Sequence, residues 1–112
     1  MVRVASSLLV GALTRHAFAQ GGSAAVIAKG DEGAGAILLI MAEKGVISGL
    51  WERIADLKSG YMWARNNSQA IENKQEFDSY INRRRSTDPD LWVVEVDVAD
   101  APRFAAQIPT GA

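Results

Sequence analysis

The 112-residue chain has no cysteine, which excludes a disulfide framework, a thiolate zinc centre and a cysteine nucleophile. It has a single histidine, His16, so metal sites built on histidine pairs are excluded as well. Nor does any local serine motif of the G-x-S-x-G kind accompany that histidine. Charge of either sign is not in excess: 12 Lys and Arg face 13 Asp and Glu, for a net charge of −1. Without a global field to draw in a polyanion, sequence-independent nucleic-acid binding loses its usual driving force. No run approaches the ~20 apolar residues that a membrane-spanning helix requires. Proline is scarce, with three in all, and that makes each one informative about where an element must stop.

The first twenty residues imitate a secretory signal: Arg3, a largely apolar run from Val4 to Leu13, and Ala17-Phe18-Ala19 before Gln20. Arg15 and His16 fall between the run and the cleavage-like site, while Ser6-Ser7 and Gly11 interrupt the run itself. The reading adopted is a folded helix, and a cytoplasmic protein is expected.

Pro89 organises the rest of the chain. Its ring fixes φ and pushes Asp88 out of the α region, so a helix ending in Arg83-Arg84-Arg85 must stop near there. Beyond it, Leu91 to Val96 alternates as a strand, with Trp92, Val94 and Val96 on one face and Leu91, Val93 and Glu95 on the other. One face is wholly apolar and the other nearly so, which predicts an interior strand.

Taken in order, Ser6 or Ser7 is expected to cap a helix running to about Ala19, stopped by Gly21-Gly22. Ala24–Lys29 reads as a strand, turned by Gly30-Asp31-Glu32-Gly33 into a buried strand over Ala36–Ala42. Glu43-Lys44-Gly45 makes the next reversal, into Val46 to about Ile54, completing an antiparallel meander. Tyr61–Arg65 alternates as a fourth strand. A helix is expected to start at Asn73, with Glu76 completing a capping box, and a short helix is expected around Pro102–Gln107. The expected architecture is α+β in the order α-β-β-β-β-α-β: one domain over residues 1–112, an antiparallel sheet of about five strands, two helices packed on one face, and a frayed tail over 108–112.

The run Asp88-Pro89-Asp90-Leu91-Trp92-Val93-Val94-Glu95-Val96, preceded by an amphipathic segment with Tyr80-Ile81 and basic residues, resembles the signature of the family known as domain of unknown function 1491. The N-terminal helix leading into Gly22-Ser23-Ala24-Ala25-Val26, then Lys29-Gly30-Asp31 and Gly35-Ala36-Ile37-Leu38-Leu39, is similar too, so the resemblance spans nearly the whole chain. It implies a small bacterial cytoplasmic protein. It brings no assigned activity and no catalytic residues, so it supports the fold and leaves the function open.

Each motif that suggests chemistry has a simpler structural reading. His16 lies on the apolar side of its helix and reads as a packing histidine. Asp88, Asp90, Glu95, Asp97 and Asp100 cluster in sequence but lack the glycine-bearing loop and terminal bidentate Glu of a calcium site, so turn capping and pairing with the nearby arginines account for them. Gly30–Gly35 fits neither nucleotide-loop pattern and opens into a strand, which predicts a hairpin turn. No metal, cofactor or catalytic residue is nominated.

Two features remain. Arg83, Arg84 and Arg85 place three guanidinium groups over nearly a full turn, able to grip a phosphate or carboxylate, or to pair with Asp88 and Asp90. Trp51, Arg53, Tyr61, Trp63 and Arg65 alternate so as to share one sheet face, which is a binding platform if open and core if covered by helices. The leading expectation is a non-catalytic cytoplasmic binding or regulatory domain acting on a protein partner, or self-associating through a sheet edge. Single-stranded nucleic-acid binding by the aromatic face ranks second, and a small anionic-ligand-binding domain or enzyme third.

Overall fold

The computed structural model describes residues 4–58, 60–66 and 74–110. Its elements in chain order are α1 (Ser6–Ala19), β1 (Ser23–Ala28), β2 (Ile37–Glu43), β3 (Val46–Asp56), β4 (Gly60–Asn66), α2 (Lys74–Thr87), β5 (Trp92–Asp97) and α3 (Ala101–Gln107). The expected α+β class holds, but the sheet is mixed. Its strand order is β1-β5-β2-β3-β4, with β5 antiparallel to β1 and parallel to β2.

The reason lies in the connections. Lys44 and Gly45, at φ +52° and +82°, form the tight reversal that pairs β2 with β3, and β3 pairs antiparallel with β4 in turn. Strand β4 therefore runs in the same direction as β2 and β5, and reaching β5 takes a crossover, which α2 provides. Apolar on both faces, β5 enters the middle of the sheet as its alternation predicts, separating β1 from β2. The expected meander of the first three strands is thus replaced by β2-β3-β4, and Gly30–Gly35 is no hairpin turn but part of the segment spanning the slot that β5 fills.

Apolar side chains alternate to both faces of this sheet. On one side Leu9, Val10, Leu13 and Ala17 of α1 and Phe104 and Ala105 of α3 pack with Ile37, Leu39, Met41, Trp92, Val94 and Val96. On the other, Phe77 and Ile81 of α2 pack with Leu38, Ile40, Leu50, Leu91 and Val93. The helices do not share a face as expected, because the odd and even residues of β2 and β5 are both apolar and each side needs a cover.

At the start of α1 neither serine caps with its side chain. Ala5 is the N-cap, and the free N–H groups of Ser6 and Ser7 donate to the Gly33 and Glu32 carbonyls, 3.1 and 3.0 Å away. Ser6 Oγ, fully buried, donates to the Gly35 carbonyl. Asp100 does cap α3, its carboxylate accepting from the Arg103 N–H. The capping box expected at Asn73 lies outside the described residues.

Candidate functional site

The β3–β4 register sets Trp51 beside Arg65, Arg53 beside Trp63 and Ala55 beside Tyr61, so the five nominated residues of these strands do share one face, the one that carries α1 and α3. Trp63 is buried at 7% exposure, Trp51 is partly buried against the core, Arg53 and Tyr61 are half-buried, and Arg65 is exposed. The Arg53 guanidinium stacks over the Tyr61 ring at 4.3 Å. Arg65 folds back over Gly49, whose missing side chain leaves it room, and donates to the Ser48 carbonyl.

What covers Trp63 is the chain beyond α3. Ile108 is buried in the core, the Trp63 indole N–H donates to the Pro109 carbonyl at 3.0 Å, and Arg53 Nη1 donates to the Thr110 carbonyl at 3.1 Å. Residues 108–110, expected to fray, instead lie against β3 and β4, because two donor side chains capture their carbonyls. Base stacking needs open aromatic faces, and the burial of Trp63 removes one of them.

The arginine turn is on the opposite side of the sheet. Arg84 points inward and pairs with Glu52 of β3, with side-chain exposures of 29% and 24%. Tyr80 Oη accepts from both Arg84 Nη1 (2.8 Å) and Asn66 Nδ2 (2.7 Å), and Asn66 Nδ2 also lies 3.0 Å from Glu52 Oε2. The hydrogen bond to Glu52 raises the Arg84 pKa further above its ordinary value, against the opposing effect of partial burial. Among the described residues, Arg83 and Arg85 are exposed and make no ion pair. The arginines therefore do not pair with Asp88 and Asp90 as expected. Asp88 closes its own turn by accepting from the Asp90 N–H.

Sequence reasoning missed Glu52 and Tyr80 as partners of Arg84, and Asn66 as the residue that bonds to both of them. A signal was present: Leu50, Glu52 and Ile54 share a strand face with one acid among apolar residues, and Tyr80 and Arg84 stand four apart on one helix face.

The other acidic and glycine motifs hold the fold together. Trp92 Nε1 donates to the Asp31 carbonyl at 2.7 Å, Asp31 N–H donates to the Asp90 carbonyl, and a Cβ on Gly30 or Gly35 would sit 2.1 or 2.2 Å from that same carbonyl. Asp97 accepts from Lys44 N–H and Gly45 N–H, bracing the β2–β3 turn. His16 packs its ring on Phe104 and meets the Gln20 amide, the packing role expected of it. An open hollow of about 360 Å³ is lined by Gln20, Val98, Ala99, Asp100 and Arg103, none of them a residue of the nominated surface.

Among the described residues no group of three or more His, Asp or Glu is placed to hold a metal ion. No helix among them is long and apolar enough to cross a membrane.

Comparison with known proteins shows the family and the fold. The model of the family described as protein of unknown function (DUF1491) matches residues 4–106. The chain belongs to that family. A DUF1491 family protein from Caulobacter crescentus is similar in its crystal structure, at 28% identity and a TM-score of 0.74 over 90% of this chain and 94% of that one. The NMR structure of a DUF1491 family protein from the same organism gives 28% and 0.75 over 97% of each. A protein from A. tumefaciens solved in solution gives 28% and 0.75 over 93% of each chain. No curated protein matches the chain. The DUF1491 description assigns no function, so any functional reading must come from the surface itself.

Proposed function

We propose that this DUF1491 protein is a small non-catalytic binding domain that recognises a protein partner through the β3–β4 part of its α1/α3 face. The observation that carries this reading is the shared face of Trp51, Arg53, Tyr61, Trp63 and Arg65, where aromatic and guanidinium groups stand side by side. These residue types are the ones enriched at interface hot spots. Arg83 and Arg85, across the sheet, form a separate basic edge and are secondary. A cytoplasmic setting is part of the proposal: cleavage after Ala19 would strip Leu9, Val10 and Leu13 from the core.

The test is a pull-down from native lysate with folded variants. A partner held by the parent and by Arg85→Glu but lost by both Trp51→Ala and Arg65→Glu is the expected result. A partner retained by both of those variants would refute the reading.

A further inference from the structure

We infer that the groove on this face takes an extended, proline-containing segment of a partner protein, and that residues 108–110 of the chain occupy it as an internal competitor. This rests on the reading that the β3–β4 face is the binding surface, and it specifies the chemistry of what binds there.

The occupant is seen in place. Ile108 adopts φ −75° and ψ 149°, which is polyproline II geometry, and the Pro109 ring fixes the following φ near the same value. Two successive carbonyls of this segment, those of Pro109 and Thr110, are read by the Trp63 indole and the Arg53 guanidinium. Both reading groups are donors only. Pro109 lacks an N–H, so at the centre of the groove the segment offers an acceptor and no competing donor. Aromatic residues on the same sheet face, an indole N–H aimed at a backbone carbonyl and a preformed extended ligand belong to the chemistry by which proline-rich segments are bound.

Because carbonyls carry the recognition, the groove is tolerant of the side chains that flank the proline. It is selective for the backbone conformation instead. Stacking on Tyr61 presets the Arg53 guanidinium for its acceptor. A segment tethered through α3 is present at an effective concentration on the order of 1 mM. For a free-segment Kd on the order of 0.1 mM, that competition makes the intact chain bind a partner segment roughly tenfold more weakly than the open groove does.

The experiment uses the full chain and a synthetic peptide with the sequence of residues 105–112, read by the Trp63 indole N–H resonance. Full-length Pro109→Gly, which loosens the internal segment without touching the groove, is expected to bind the peptide saturably and roughly tenfold more tightly than the parent. Adding Arg53→Ala to that variant is expected to abolish binding. A folded Pro109→Gly chain that shows no saturable binding, or binds no better than the parent, overturns the proposal. Should Pro109→Gly fail to fold, the parent is titrated with the peptide and with its proline-to-alanine version. Stronger binding of the proline form is expected, and no binding of either overturns the inference. A partner lost on Trp51→Ala yet indifferent to Pro109→Gly would leave the binding surface standing and sink the competitor.

Discussion

Two tryptophans in this chain bury their rings and donate their indole N–H to a main-chain carbonyl, Trp92 to Asp31 at 2.7 Å and Trp63 to Pro109 at 3.0 Å. The chemistry is the same, but the setting of the acceptor differs. Asp31 opens a loop that is tied by main-chain bonds to Asp90 and, through Glu32 and Gly33, to the start of α1, with Ser6 Oγ on Gly35 as a further tie. Pro109 lies in an extended segment beyond α3 whose carbonyls are held by side chains of two strands. The first indole closes a structural joint that opens only when the sheet comes apart. On the proposed reading the second closes a contact that can be released while the sheet stays whole, which is what a binding groove requires.

Substitutions at the two ends of this comparison separate in size. Trp92→Ala removes a core ring and the staple together and is expected to cost about 4 kcal/mol, read by urea denaturation. Gly35→Ala attacks the same joint from the other side, since the added Cβ would meet the Asp90 carbonyl at 2.2 Å. The backbone must shift, at an expected cost of about 2 kcal/mol in the same assay.

The α2 face offers an intermediate case, in which a polar cluster does the holding. Glu52→Gln leaves Arg84 half-buried without its carboxylate and is expected to cost about 1–2 kcal/mol. The pH dependence follows from the direction of the Arg84 shift. A raised pKa contributes stability that is fully present below the ordinary arginine range and lost only at more alkaline pH. The difference between parent and Glu52→Gln is therefore expected to stay flat from about pH 7 to about pH 9, as parallel denaturation curves would show. Trp63→Phe, which keeps most of the ring and gives up the N–H, is expected to cost only about 1 kcal/mol while releasing the Pro109 carbonyl.

The strand pattern was legible in the sequence wherever alternation was strong. Trp92, Val94 and Val96 do share a face, β5 is interior, and Trp51, Arg53, Tyr61, Trp63 and Arg65 do line up across two strands. The family resemblance carried by Asp88 to Val96 holds over residues 4–106. Strand order was not legible, because local alternation says which way side chains point and nothing about which strand lies beside which. Placing β5 between β1 and β2 is a decision made by burial across the whole chain. The partners of Arg84 were misread for a related reason: Asp88 and Asp90 are near in sequence, whereas Glu52 becomes a neighbour only when α2 docks on β3. The last missed feature, the capture of Pro109 and Thr110, joins residues 46 and 57 positions apart.

Whether Trp63 sits in an openable groove is read most directly by native-state hydrogen exchange of the two indole N–H groups, followed by NMR. The Trp63 indole is expected to exchange by local opening, roughly 100-fold faster than the Trp92 indole, with the β5 amides still protected. Exchange of both indoles at one common rate, set by global unfolding, would contradict an openable groove.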